Sequence, residues 1–196
     1  MACWTNPLSG SLYDTFPVPT RSAMKAIMEK FVPNKEVWLK PYKCHVCRPV
    51  RTQSYVTNGF TPYRIASQFA NDMPYTYRSS VLTDVCYQFF ALVLAAEKGS
   101  QWRDKCRANQ QIFYRRLRNG TPCAPIWMGR SEFVPDKVGE LNESDYPDKS
   151  ITMRIPAILD WTFDAPKNGD FAPVWRQNLE IVKGVIRYAD EWIEAC

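Results

Sequence analysis

The sequence predicts an α+β fold: a ferredoxin-like, split βαβ domain with a β-hairpin insert and a β-rich C-terminal tail. Two amphipathic helical segments alternate with segments rich in β-branched and aromatic residues. Fifteen prolines against eight glycines favour short elements joined by fixed turns. The length of 196 residues fits one compact chain, which we divide into a ferredoxin-like domain over residues 1–125 and a β-rich extension over residues 126–196.

The first helix is predicted from the start of an amphipathic segment after Pro19. Thr20 or Ser22 can cap its first turn, and apolar side chains then recur at i, i+3 and i+4 spacing as far as Phe31. Pro33 ends the segment.

Strands are predicted after this helix because β-branched and aromatic residues follow without helical spacing. Residues 37–39 and 42–56 are expected to be strands that lead to a turn at Asn58-Gly59. Residues 60–77 are predicted to be a loop or a long hairpin. Residues 81–95 are rich in strand formers and are expected to be one central strand.

The second helix is predicted over residues 101–119 and ends at Gly120, which suits a left-handed cap. Its apolar residues lie partly on one face and its arginines occupy the rest. Four further strands are expected in the tail, at residues 126–128, 131–133, 155–163 and 179–188, the last folded around a Lys183-Gly184 turn.

Composition indicates a folded protein that stays outside the membrane. Hydrophobic residues make up 45% of the chain, and the formal net charge of +5 gives a mild bias toward polyanions. The longest apolar run, residues 89–96, is far shorter than the ~20 residues of a membrane-spanning helix. Residues 1–6 have neither the basic start nor the apolar stretch of a signal peptide, so we expect a cytoplasmic protein with seven reduced cysteines.

Several enzyme classes lack their required residues. Because His45 is the single histidine, we expect neither a histidine-dependent triad nor a two-histidine metal site within this chain. It lies between Cys44 and Cys47 in a predicted strand, where the two thiols are interpreted as structural. Phosphate-binding glycine loops and nucleophile-elbow motifs do not occur, so no metal, cofactor or catalytic residue is predicted.

The concentrated feature is cationic. Arginines of the second helix can hold several phosphates, and tyrosines such as Tyr55, Tyr63, Tyr75, Tyr77 and Tyr114 could stack on unpaired bases. The alternative is a solvated helix face that keeps the chain soluble. The candidate phosphate contacts are Arg51, Arg103, Arg107, Arg115, Arg116 and Arg118.

Five blocks of the sequence, in order and at near-equal spacing, resemble motifs of the CRISPR-associated family five, of the RAMP superfamily, in its subtype I-C (Dvulg) branch. The resemblance covers roughly residues 2–188. The blocks are Ala2-Cys3-Trp4-Thr5-Asn6-Pro7, residues 20–29, His45-Val46-Cys47-Arg48-Pro49-Val50-Arg51, residues 81–87, and Phe113-Tyr114-Arg115-Arg116-Leu117-Arg118-Asn119-Gly120 followed by residues 128–133.

This resemblance implies a ferredoxin-like RNA-binding fold of the RRM and RAMP type. Members of the family grip the single-stranded 5′ handle of a CRISPR RNA at one end of a Cascade complex. The implied partners are therefore CRISPR RNA and the backbone and large subunits of that complex.

Two departures from the family pattern shape the functional expectation. The subtype I-C branch cuts precursor RNA with an aromatic or histidine residue after the first helix and a Lys-His pair, and these positions fall near Val32 and on Ala108 and Asn109. Because Ala and Val offer no proton, we expect no cleavage; an endoribonuclease that uses Lys105 and Tyr42 is the enzymatic alternative.

The second departure is the family's first strand, for which only Met1 precedes Ala2. We expect its absence to leave a sheet edge that a partner covers. The chain could then be a working subunit or a stand-alone decoy, an anti-CRISPR candidate that inhibits assembly of the complex.

Overall fold

The structure is a computed structural model that describes residues 1–9, 14–33, 36–59, 71, 75–95, 101–142, 144–163 and 171–188. Within these ranges the chain forms two α-helices and mostly antiparallel strands, which confirms the α+β class. The ferredoxin-like order of elements stays a prediction. The elements are β1 (Trp4–Thr5), β2 (Thr15–Phe16), α1 (Arg21–Glu29), β3 (Val37–Val46), β4 (Arg51–Gly59), β5 (Tyr75–Thr83), β6 (Tyr87–Ala95), α2 (Trp102–Asn119), β7 (Met153–Phe163), β8 (Phe171–Val182) and β9 (Val185–Arg187).

The main sheet has five strands in the order β6-β3-β9-β8-β7. It joins β3 and β6 to three strands from beyond residue 125, so the β-rich tail contributes directly to the central sheet. Strands β4 and β5 form a separate two-stranded hairpin, paired from Arg51 opposite Thr83 to Gly59 opposite Tyr75. Strands β1 and β2 form a third, small sheet.

Helix α1 begins and ends close to the predicted residues. The Thr20 hydroxyl accepts a hydrogen bond from the Ala23 amide at 3.1 Å, which satisfies one free amide of the first turn. Met24 and Ile27 point inward and are buried, because their spacing places them on one helix face. Helix α1 packs against β3 and β7.

The core lies between the two helices and one face of the main sheet. Buried side chains from β3, β7, β8 and β9 meet Met24 and Phe31 from the first helical region. Arg21 is also buried, with its Nε 3.3 Å from Oδ1 of Asp160. The carboxylate of Asp160 also accepts a hydrogen bond from Arg176 at 3.4 Å. A charged group is therefore accommodated beside the core because opposite charges surround it.

The predicted single strand over residues 81–95 is wrong. The chain makes two strands there, β5 and β6, which belong to different sheets. Asp84 between them has a φ of 50°, a left-handed conformation that interrupts regular strand pairing and that Asp tolerates better than β-branched residues do. Among the described strands, β6 pairs only with β3 and lies at the edge of its sheet.

Two smaller predictions are also corrected. Asn58-Gly59 is not a turn, since both residues pair with β5 as part of β4. Residues 126–128 and 131–133 form no strand; the Met128 amide instead donates to the Phe133 carbonyl at 2.7 Å across a tight turn. The Lys183-Gly184 turn is confirmed, with φ angles of 50° and 74°.

The first described residues join the hairpin to the segment that contains Met128. Ala2 and Leu82 exchange backbone hydrogen bonds of 2.9 and 2.7 Å, and the Cys3 amide donates to the Met128 carbonyl at 2.9 Å. Gly129 lies against this contact, where a Cβ atom would come within 1.8 Å of the Cys3 carbonyl oxygen. Neither helix of the described chain is long and apolar enough to cross a membrane.

Candidate nucleic-acid interface and an adjacent apolar groove

Helix α2 fixes the positions of most candidate RNA contacts. It ends as predicted at Gly120, whose φ of 62° is the left-handed cap conformation, and the Thr121 amide donates to the Arg116 carbonyl at 3.0 Å. Asp104 lies in the first turn and Arg116 and Arg118 in the last, where their charges oppose the helix dipole. The basic end of the helix is therefore stable as well as charged.

The inward face of α2 is set by its few apolar residues. Phe113 packs edge-on against Phe31 with ring centroids 5.7 Å apart, and Leu117 also contacts the core. Asn109 lies on this face and is 2% exposed. Because these side chains point inward, the opposite face of α2 is turned toward solvent.

That outer face carries the arginine stripe, which we define as Arg103, Arg107, Arg115 and Arg118. All four are exposed and fall within an arc of about 120° at the helical repeat. Arg118 pairs with Glu140 at 3.0 Å, and the Arg103 guanidinium lies 5.2 Å from the centroid of the Trp102 ring. Arg107 and Arg115 have no ion-pair or hydrogen-bond partner among the described residues.

Arg116 lies off the stripe, on the flank of α2 toward the core. It is half-buried, and its Nη1 donates to the Thr121 carbonyl at 3.3 Å. Its guanidinium therefore supports the end of the helix, which distinguishes it from the four arginines of the stripe.

Arg51 lies on a different element, at the start of β4. It is exposed, as is Arg78 on β5, and neither strand contains an acidic residue. Tyr55 of this hairpin packs against Phe133, with ring centroids 5.5 Å apart. Only part of its ring is therefore available to stack on a base. Tyr114 is 49% exposed beside the stripe. The predicted stacking residue Tyr63 and the side chains of Tyr75 and Tyr77 lie outside the part of the chain described.

An apolar groove of about 810 Å³ lies on the other side of α2. Its walls are α1, the free edge of β6, the inward face of α2 and the segment 135–142. Val32 and Asn109, the positions that the family resemblance aligns with catalysis, both line it. Sequence reasoning found these two positions but not the groove that they share.

The family-aligned positions in this groove, Val32 and Asn109, offer little proton-transfer chemistry. Asn109 Nδ2 donates to the Lys105 carbonyl at 3.0 Å, and its Oδ1 has no hydrogen-bond partner within the described structure. Tyr42 lines the groove, but Lys105 is exposed and lies 3.5 Å from Glu36. Lys105 is also absent from the groove lining.

The thiols and the histidine lie at the far end of β3. Burial raises the pKa of the Cys44 thiol well above its usual value and that of Cys47 to about 12. His45 Nδ1 lies 2.9 Å from Gln88 Oε1. Among the described residues, no three His, Cys, Asp or Glu side chains lie close enough together to share a metal ion. These thiols are protonated at neutral pH, which suits the structural role predicted for them.

No protein-family model matches the sequence, and no curated protein matches it. Among solved structures, a CRISPR-associated protein superposes with a TM-score of 0.70 at 16% identity, over 96% of this chain and 86% of that one. A functionally uncharacterized protein from Streptococcus mutans gives 0.69 at 18% identity, over 96% and 87%. A chain described as a CRISPR RNA-guided surveillance complex gives 0.49 at 16% identity, over 95% and 87%. Over nearly its whole length, this chain therefore has the same fold as a solved CRISPR-associated protein.

Proposed function

We propose that this chain is an RNA-binding subunit of a Cascade-like CRISPR ribonucleoprotein and that it holds the 5′ handle of a CRISPR RNA. The arginine stripe on α2 carries the proposal. The shared fold with a CRISPR-associated protein and the ordered sequence motifs support it. The ferredoxin-like RAMP topology, the backbone and large subunits as partners, and a cytoplasmic location belong to the same proposal.

The stripe suits a single-stranded phosphate backbone. Its arginines project from a helix whose backbone is already ordered. Binding an anion therefore costs no backbone entropy at these positions. Arg107 and Arg115 need not break an internal ion pair first, because neither has one within the described structure. Their guanidinium groups can each make two parallel hydrogen bonds to a phosphate.

The hairpin formed by β4 and β5 extends the same chemistry. Arg51 and Arg78 are exposed on two strands that lack acidic residues, so an RNA strand meets no repulsion from charges of those strands. Tyr114, exposed next to the stripe, supplies an aromatic face on which an unpaired base can stack. Phosphate neutralisation and stacking together are the usual means of binding single strands.

The first prediction concerns affinity for RNA. Replacing Arg107 and Arg115 together with alanine should weaken binding of a labelled single-stranded repeat RNA by about tenfold or more. The slope of log K against log salt concentration should fall by about 1.4, since each lost phosphate contact removes about 0.7. Fluorescence anisotropy across a salt series measures both quantities.

The matched control is the double variant Arg154→Ala and Arg187→Ala. It removes the same charge from exposed positions on β7 and β9. We expect it to change the affinity by less than about threefold. Equal losses in the two double variants would mean that only net charge matters, and the stripe would then not be the RNA site.

The second prediction concerns cleavage. The positions aligned with catalysis are Val32, Ala108 and Asn109, and Lys105 does not line the groove that contains Tyr42. We therefore expect end-labelled repeat RNA to stay intact when incubated with excess protein in EDTA. A discrete product that disappears in both Tyr42→Phe and Lys105→Ala would establish the endoribonuclease alternative instead.

A further inference from the structure

The free edge of β6 borders the apolar groove and has the features of an edge that can pair with another strand. β6 has nine residues, Tyr87–Ala95, and within the described chain it pairs on one side only, with β3. No residue of β6 carries a charge, and the strand contains no proline. Charges and prolines are usual protections of an exposed edge, and β6 has neither, so its edge is available for backbone pairing as far as the described residues extend.

The side chains of β6 are also more exposed than their partners on β3. The inward residues of β3, such as Val37 and Leu39, are 6% and 3% exposed. Their partners across the ladder, Ala95 and Val93, face the same side of the sheet but remain partly exposed. The more exposed side chains thus belong to β6, the outermost strand of the sheet, which borders the groove.

Asn109 provides an independent sign that the groove takes a ligand. Its side chain is buried, yet Oδ1 has no hydrogen-bond partner within the described structure. A buried carbonyl oxygen without a hydrogen-bond donor destabilises the folded chain. A backbone or side-chain N–H of a bound segment would satisfy it.

The charges at the groove select the kind of ligand. Asp84, Asp136 and Asp145 line it together with one lysine, Lys137. Glu140 also lines it but is paired with Arg118. This acidic lining contrasts with the net charge of +5 for the whole chain. It repels RNA phosphates and would also repel the same aspartates in a second copy.

We propose that the groove binds an extended segment of another protein, with alternating apolar and Lys or Arg residues, that adds to the free edge of β6. Apolar side chains of the segment enter the groove between α1 and α2, and its basic side chains meet the aspartates. The added strand supplies backbone hydrogen bonds to β6, and alternate side chains provide specificity. A nine-residue strand would extend about 30 Å along this edge.

The test uses synthetic nine-residue peptides and the full-length chain. The first peptide alternates valine with lysine, and the matched peptide alternates valine with glutamate. We expect the lysine peptide to bind at least tenfold more tightly by fluorescence anisotropy. Hydrogen exchange should slow in residues 87–95 when it binds, while exchange in β7 stays unchanged.

Variants locate the site. Ala91 lines the groove, whereas Leu92 lies on the opposite face of the same strand. Ala91→Phe should therefore weaken lysine-peptide binding at least tenfold, and Leu92→Phe should leave it within about threefold. The double variant Asp84→Asn and Asp136→Asn should weaken lysine-peptide binding to a similar extent. Glu180→Gln, at an exposed position on β8, should leave it unchanged.

Asn109→Leu tests whether the unpartnered Oδ1 of Asn109 contributes to peptide binding, apart from the packing of this side chain. It should weaken peptide binding about threefold or more while leaving the thermal midpoint close to that of the original chain, since it removes a polar group that is only half satisfied. Should a variant fail to fold, the exchange protection of residues 87–95 in the unmodified chain still decides the question.

Three results would overturn the proposal. The first is equal affinity for the lysine and glutamate peptides, and the second is peptide binding without protection of β6. The third is self-association or RNA binding that is lost in Ala91→Phe but not in Leu92→Phe, which would assign the groove to a second copy or to RNA.

Discussion

At the scale of single residues, the pKa of His45 depends on contacts that form only in the folded chain. Gln88 Nε2 donates to the Asp145 carbonyl at 2.6 Å, which leaves Gln88 Oε1 to accept from His45 Nδ1–H. The ring also lies against Phe90, with centroids 4.6 Å apart. Burial lowers the pKa of His45 more than the Gln88 hydrogen bond raises it, and nearby Lys43 lowers it further.

This depressed pKa gives a pH prediction. Below about 6.5 the unfolded chain binds a proton on this histidine that the folded chain resists, so the free energy of unfolding should fall as pH drops from 7.5 to 5.5. Since His45 is the only histidine, His45→Gln should flatten the profile in this window. Urea unfolding at several pH values measures it, and identical slopes for both proteins would contradict the assignment.

Individual residues also show what the sequence can predict well. Thr20 and Gly120 occupy the cap positions expected of them, because capping depends on a few neighbouring backbone groups. The sequence singles out Asn109 only through its alignment with the Lys-His pair of the resembled family. That its Oδ1 is orphaned depends on distant elements, so no local pattern reveals it.

At the scale of elements, both helices follow from the sequence and several strands do not. Helical periodicity is local, whereas the division between β5 and β6 depends on a left-handed Asp84 and on pairing with different sheets. Asn58-Gly59, a frequent turn pair, is instead paired with Thr76 and Tyr75 of β5. Long-range pairing overrides such local preferences.

The turn between β8 and β9 gives a prediction at this scale. Gly184 has a φ of 74°, and its position is crowded: an added Cβ would lie 2.6 Å from the Asp148 carbonyl oxygen and 2.9 Å from that of Val46. Gly120 has a similar φ of 62° but open space around it. Gly120→Ala should cost about 1 kcal/mol of unfolding free energy from the backbone alone.

Gly184→Ala carries the same backbone cost and must also displace main-chain atoms, so it should lose roughly twice as much or more. The Gly184 carbonyl accepts from the Val46 amide at 2.8 Å, so the loss extends to the end of β3. Chemical denaturation of the two variants compares them directly. Equal losses would show that the backbone around Gly184 yields easily.

At the scale of the whole molecule, helix α2 separates the positively charged arginine stripe from the apolar groove. The arginines of α2 and their outward direction could be predicted from spacing. The groove could not, because its walls come from residues as distant in sequence as Ile27 and Asp145. The main sheet likewise unites β3 with β9, so its composition depends on contacts made late in the chain.

Because Arg107 faces outward and Asn109, two residues later, faces inward, α2 separates the proposed RNA site from the proposed peptide groove. An RNA strand on the stripe and a polypeptide in the groove would lie on opposite faces of α2 and would approach each other at Tyr114, which also lines the groove. In that arrangement, the eighteen residues of α2 would be the physical connector between the nucleic acid and a neighbouring protein.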